Sequence, residues 1–206
     1  MIKAYIFDQD GTLYPKNSEL TNALRKRTKK WISERLGIGK EEVESIYARL
    51  PNEFPHPYHG FLSLGLSPEV YHKEVFDKVD PALFLDKDSA LIDLFSKISV
   101  PKFVVTFASL KYSKRLQQWL GVYDLVEKTI SAIEYPPTYS KVRAYESIRE
   151  YLEVTANEIC VVGDNLLTDI IPAIDCGFKA VFIGTIKELS TDFYSINDIY
   201  SLGDFL

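Results

Sequence analysis

The sequence predicts an α/β protein with a parallel sheet and an all-helical insertion near its N-terminus. Three observations carry this. From residue 102 onward, short β-like apolar runs alternate with helical stretches, and such alternation implies parallel strands joined by right-handed crossovers. One further apolar run, 2–7 (Ile-Lys-Ala-Tyr-Ile-Phe), ends abruptly in Asp8-Gln9-Asp10-Gly11. Between 16 and about 100 no strand pattern occurs, which leaves that block all helical.

In chain order, residues 2–7 read as a mostly buried strand. Residues 19–36 are helical in composition, with Leu20, Leu24, Trp31, Ile32 and Leu36 on the apolar face and Gly37 and Gly39 after it. Glu41 to Leu50 reads as a second helix stopped by Pro51, and the Pro-, Gly- and aromatic-rich stretch 51–66 as a loop or short broken helix. Ser67-Pro68 looks like an N-cap followed by Pro at the first helical position, opening a helix to about Lys78. Strands are expected at Lys102–Thr106, Lys128–Ala132, Glu158–Val162 and Phe178–Ile183. Helices are expected at 110–120, Tyr139–Leu152 and 165–176, with Gly121 and Gly177 as stops. The tail is amphipathic and reads as helical, with Tyr194 and Tyr200 as packing residues. The expected division is a core of residues 1–15 and 85–206 with an insertion at 16–84.

Composition narrows the function classes. A chain of 206 residues with 46% hydrophobic content can bury a sizeable core. Its 24 Lys+Arg against 29 Asp+Glu leave it mildly acidic, at −5, which gives no footing for a nucleic-acid polymer. No apolar run approaches the ~20 residues of a membrane span. The two cysteines, Cys160 and Cys176, fit a reduced, cytoplasmic protein better than a disulfide scaffold, with Cys160 a small core residue.

The chemistry gathers where β runs end. Asp8 and Asp10 close the first strand, and Gly11 lets the backbone turn sharply. Two carboxylates so close repel unless a cation joins them, and a hard divalent ion held by oxygens, Mg2+, suits them. Thr106 ends another strand, Lys141 stands near a helix start, and Asp164 follows a strand with Asp169 one turn into the next helix. An open α/β sheet binds ligands at these carboxyl ends. Taken singly, each has an ordinary reading: solvated or turn-forming Asp, a β-favouring Thr, a solvated Lys.

Asp8-Gln9-Asp10-Gly11-Thr12, Thr106 after a hydrophobic strand, Lys141, and Gly163-Asp164 with Asp169 resemble, in order, the four motifs of the haloacid-dehalogenase (HAD) superfamily. The insertion between the first two resembles the helical cap of its capped members. A looser likeness through Leu13-Tyr14-Pro15, Tyr58-His59-Gly60 and Pro68-Glu69-Val70-Tyr71-His72 is to the pyrimidine 5′-nucleotidase branch. The resemblance implies a three-layer Rossmann-like core and Mg2+-dependent hydrolysis of a small phosphorylated metabolite, such as a nucleoside monophosphate. It makes Asp8 the nucleophile and Asp10 the general acid and then base. The ion would be held by the Asp8 and Asp164 carboxylates and the Asp10 carbonyl, with Asp169 supporting them. Thr106, Lys141 and the backbone N–H groups of Gln9, Asp10, Phe107 and Ala108 would contact the phosphoryl oxygens, and Tyr58 and His59 a base or sugar. Phe107, Val142 and Gly163 stand where many relatives carry Asn, Pro and an acidic residue, which bears on substrate identity and leaves the core chemistry intact.

Rival readings are a phosphomutase, a 2-haloacid dehalogenase and a non-catalytic phospho-ligand binder or receiver-like switch. A halide leaves without a proton, and dehalogenase relatives lack the second Asp and the metal, so Asp10 favours phosphoryl transfer. A receiver domain has no long helical insertion after its first strand. The basic run Arg25–Lys30 reads as a solvated helix face. Lys111 and Lys128 are weaker alternatives to Lys141. His56 and His59 have ligand-like spacing, but no further His or Cys close by makes a zinc site of them.

Overall fold

The computed structural model describes residues 1–54, 57–135, 140–185 and 192–205. The chain divides into two compact units, an α/β unit of Met1–Asn17 and Asp86–Leu206 and a helical unit of Ser18–Leu85. In chain order, β1 (Ala4–Phe7) leads into two short pieces, β2 (Asp10–Gly11) and β3 (Tyr14–Pro15). The helical unit follows as α1 (Glu19–Leu36), α2 (Lys40–Glu53), α3 (Pro57–Ser63) and α4 (Pro68–Glu74). The α/β unit resumes with α5 (Ser89–Lys97), β4 (Lys102–Thr106), α6 (Leu110–Leu120), β5 (Lys128–Ser131) and α7 (Val142–Leu152). It ends with β6 (Ile159–Gly163), α8 (Ile171–Asp175), β7 (Lys179–Ile183) and β8 (Tyr194–Ile196).

Six strands form one parallel sheet in the order β5-β4-β1-β6-β7-β8, with helices flanking it, so the core is the Rossmann-like α/β fold that the sequence predicts. β1 pairs with β4 on one side and β6 on the other. Strand order reverses there, and this switch point is where an open sheet leaves a crevice at its carboxyl end. The strands read as continuous apolar runs because both faces are covered. Ala4 and Ile6 point to the face where Phe103, Val161, Tyr145, Ile148 and Phe178 form the main core. Phe7 points the other way and meets Phe95 of α5 with ring centroids 4.8 Å apart.

In the helical unit, Ser18 caps α1 by accepting from the Thr21 N–H at 3.2 Å, and Gly37 closes it in the left-handed region. Ser67 accepts from the Val70 N–H and Pro68 opens α4, as expected. The interior is aromatic: Trp31, Phe61 and Tyr71 pack with centroids 4.8–5.6 Å apart. Tyr58 is 2% exposed and its hydroxyl bonds His72 Nε2, which commits Tyr58 to this core. His59 lies beside it on α3, half-buried, and His56 lies outside the described residues. Of the basic run, Arg27 donates to the Glu74 carbonyl and Lys29 bonds Glu44.

Four local expectations are corrected. α2 runs through Pro51 to Glu53, because a proline in the last turn forfeits one bond and the Phe54 N–H still closes on the Leu50 carbonyl. The helix expected from Tyr139 starts at Val142, whose N–H donates to Ser140 Oγ; Tyr139 lies outside the described residues. The expected helix at 165–176 is a π-turn, Leu166–Ile170, followed by the single turn α8. The tail expected to be helical supplies the sixth strand, β8, and a tight 3-10 turn at Ile199–Phe205. Its buried Ile196, Ile199 and Leu202 mimic a helical period. Tyr194 and Tyr200 are exposed rather than packed, and the Tyr200 hydroxyl bonds Asp88.

Candidate active site

The carboxyl ends of β1, β4 and β6 carry the polar residues. The β1–β6 ladder continues to Asp8, whose N–H donates to the Val162 carbonyl at 2.8 Å and fixes the backbone under its side chain. The Leu13 N–H closes on the Gln9 carbonyl at 2.9 Å, which folds 9–13 into a tight turn. Gly11 makes that turn with φ +96°, and a Cβ there would lie 2.6 Å from Asp164 Oδ2. Gly163 serves in the same way at the end of β6, since a Cβ there would lie 2.5 Å from Asp169 Oδ2. The absence of side chains at 11 and 163 lets two carboxylates close against the backbone. A second acidic side chain at 163 would displace Asp169.

Lys141, directly before α7, is 1% exposed and its ammonium bonds Asp8 Oδ1 and, at 2.7 Å, Asp169 Oδ1. Burial alone would drive the ammonium toward neutrality, but Asp169 and Asp8 overcome it and hold the proton on more firmly than usual. Asp169 is also fixed from behind, where Oδ2 accepts from the Asn165 N–H at 3.0 Å. The Asn165 side chain in turn caps the π-turn through the Leu167 and Thr168 N–H groups. π-turns recur at functional sites, and this one aims Asp169 at Lys141.

Asp8, Asp164 and Asp169 each bring a carboxylate oxygen within 4.8 Å of the others. Burial raises the Asp8 carboxyl well above its usual range; Lys141 offsets part of this, and Asp169 and Asp164 add to it. Asp164 is likewise raised by burial, offset by Lys16, whose ammonium reaches Asp164 Oδ2 at 2.7 Å. The Lys16 side chain is 69% exposed, so a surface cation covers the one carboxylate of the three that Lys141 does not bond. An all-oxygen donor set, an excess of buried negative charge and a lysine standing in as counter-ion fit a hard divalent cation.

Asp10 stands apart from that trio. The Tyr14 hydroxyl donates to its Oδ1 at 2.6 Å, while Thr106 Oγ1 and Gln9 Nε2 each lie 3.4 Å from Oδ2. Burial raises its carboxyl, against the hydrogen bonds from Tyr14 and Gln9, a direction that suits proton transfer. Thr106 is fully buried at the end of β4 and accepts the Ala108 N–H at 3.0 Å. That N–H is therefore engaged with Thr106. The Phe107 ring lies 5.2 Å from the Lys141 ammonium. Gln9 is buried, with its Oε1 accepting from Gln117, which accepts from Thr129.

The structure thus brings together Asp8, Gln9, Asp10, Thr106, Phe107, Ala108, Lys141, Asp164 and Asp169. Lys128 and Lys111 are exposed side chains at the opposite end of β5 and on α6. Tyr58 and His59 belong to the helical unit. Sequence reasoning gave no role to Lys16, Thr12, Tyr14 or Gln117. Of these, Thr12 stood within the first motif and Tyr14 carried a signal as a hydroxyl four residues after Asp10 across a glycine turn; Thr12 Oγ1 lies 3.3 Å from Asp8 Oδ2.

A family model for haloacid dehalogenase-like hydrolases matches residues 2–177. The chain is 25% identical to a glyceraldehyde 3-phosphate phosphatase of Methanocaldococcus jannaschii, in an alignment covering 100% of this chain and 96% of that protein. A HAD phosphatase from Thermococcus onnurineus superposes with a TM-score of 0.62 at 22% identity, covering 99% of this chain and 97% of that one. An L-2-haloacid dehalogenase from Xanthobacter autotrophicus superposes with 0.58 at 16% identity, covering 100% and 98%. These two structures establish the fold, which phosphatase and dehalogenase share. With the family model spanning the first strand through the turn after α8, the chain belongs to the haloacid dehalogenase-like hydrolases of the HAD superfamily.

Proposed function

We propose that the protein is a phosphatase that hydrolyses a small organic phosphomonoester with Mg2+, through a phosphoryl group carried on Asp8. The observation that carries this reading is the division among four carboxylates. Three converge on one another, two of them bonded by Lys141, while Asp10 is held separately by Tyr14 beside Thr106. A halide-releasing enzyme has no use for a half-buried carboxyl held ready to give a proton. The phosphatase relative supports the same side.

In this reading an Asp8 carboxylate oxygen attacks phosphorus as the ester P–O bond breaks, and the departing oxygen takes its proton from Asp10. Asp10 then takes a proton from water, whose oxygen attacks phosphorus; the bond between phosphorus and Asp8 breaks and inorganic phosphate leaves. Lys141 and the Thr106 hydroxyl stabilise the phosphoryl oxygens, the Lys also favouring the ionised form of Asp8 against its burial and aiming it. The bound ion, held by the Asp8 and Asp164 carboxylates and the Asp10 carbonyl, would supply positive charge against the phosphoryl oxygens. Asp169 acts through Lys141. The helical unit is assigned the part of a specificity-setting cap.

The test is Mg2+-dependent release of inorganic phosphate from an aryl phosphate. Asp8→Asn should reduce it to background, and full activity in that variant would exclude Asp8 as nucleophile. A panel that includes triose phosphates and nucleoside monophosphates ranks substrates, and return of the phosphoryl group to a second hydroxyl instead of water would indicate a mutase.

A further inference from the structure

The turn at residues 10–14 does more than bring Asp10 next to Asp8. Asp10 of β2 pairs with Tyr14 of β3, so backbone register sets the distance between the two side chains. Tyr14 is 4% exposed, and its hydroxyl meets Asp10 Oδ1 at 2.6 Å, the length of a strong O–H···O bond to a carboxylate. Among the described residues, the other oxygen, Oδ2, has two long contacts, from Thr106 Oγ1 and Gln9 Nε2, both 3.4 Å. The Gln9 amide is itself held: Gln117 Nε2 donates to Gln9 Oε1 at 3.2 Å, and Thr129 Oγ1 donates to Gln117 Oε1 at 3.0 Å. These bonds turn the NH2 of Gln9 toward Asp10.

We propose that Tyr14 is the positioning residue for the acid–base carboxyl: by occupying Oδ1 it leaves Oδ2, the oxygen beside Thr106, to exchange the proton. This rests on the reading of Asp10 as general acid. In the first half-reaction Oδ2–H gives its proton to the ester oxygen as the ester P–O bond breaks and Asp8 bonds phosphorus. In the second, Oδ2 takes a proton from water as the water oxygen bonds phosphorus and Asp8 is released. Throughout, Tyr14 donates to Oδ1 and loses no proton. Without its hydroxyl the carboxyl can rotate, and either oxygen can face the wrong way.

Tyr14→Phe removes the hydroxyl and keeps the ring. The readout is kcat/KM on two substrates, because it reports the steps through departure of the first product. An alkyl phosphate needs its leaving oxygen protonated; p-nitrophenyl phosphate does not. Loss of general acid assistance costs about 10²–10⁴-fold, and loss of its orientation alone is expected to cost about tenfold or more on the alkyl substrate. The aryl substrate should keep its kcat/KM within about threefold. Slowed water attack should also produce a burst of nitrophenolate that the unsubstituted protein lacks. An equal fall on both substrates, or no fall on either, would overturn the proposal, because misfolding or lost packing moves both together. Asp10→Asn is run alongside. If it lowers the alkyl substrate selectively and Tyr14→Phe does not, Tyr14 alone is misassigned. If Asp10→Asn also shows no leaving-group dependence, the acid role of Asp10 itself fails.

Discussion

At Lys141 a fully buried ammonium stands between two buried carboxylates, Asp8 and Asp169. Removing charges from water costs several kcal/mol per ion, and the arrangement holds because each member is compensated by the next. Lys141→Met should therefore strand two buried carboxylates and lower the unfolding free energy of the metal-free protein by about 3–5 kcal/mol, read by urea titration. A change below about 1 kcal/mol would mean that the pair behaves as a solvent-exposed one. In the sequence Lys141 stood out only by its place in the order of motifs; nothing local distinguishes it from an ordinary lysine at a helix start. Its burial follows from the crossover that ends beside β1, a tertiary fact. Lys16 was invisible for the opposite reason, since an exposed lysine after Pro15 matters only because Asp164, far along the chain, folds next to it.

The elements of the sheet were legible because strands covered on both faces read as unbroken apolar runs, as at Lys102–Thr106 and Ile159–Gly163. β8 was not, because it has three residues, two of them exposed, at the edge of the sheet. The π-turn was not legible either, because Asn165 and Asp169 build it by side chain-to-backbone bonds that periodicity does not register. In the helical unit, α4 carries His72, 2% exposed and bonded to the Tyr58 hydroxyl. Burial lowers its pKa to about 4, against the pull of Asp77 and Glu69. The native imidazole stays neutral while the unfolded one takes a proton below its ordinary value of about 6.5. The unfolded state thus binds more protons between these values, and stability falls as pH falls from about 6.5 to about 4, by about 3 kcal/mol for this group. Buried carboxyls with raised pKa contribute in the opposite sense, so the comparison is between the unsubstituted protein and His72→Phe. The variant should lose less stability on acidification across that window, as followed by thermal unfolding at a series of pH values. Parallel curves would show that His72 is already charged in the native state.

For the whole molecule, the order of its parts was the readable feature. Acidic strand end, helical block, Thr-ended strand, lysine and second acidic strand end follow one another along the chain. The parallel sheet turns that linear order into one cluster, because all of its strands present their carboxyl ends on the same side. Such a cluster is specific about chemistry and much less so about substrate, since the residues that select a substrate need share no spacing with those that cleave it. Among the described residues no helix is long and apolar enough to cross a membrane.

The central claim is that the phosphoryl group passes through Asp8, and the direct measurement is to trap it. Protein turning over an aryl phosphate with Mg2+ is quenched in acid within the first turnover, digested and examined by mass spectrometry. The expected result is one phosphoryl group on the peptide that carries Asp8, lost when the substrate is exhausted before the quench and absent from Asp8→Asn. Phosphate release with no phosphoryl group on that peptide, or with one on another residue, would contradict it.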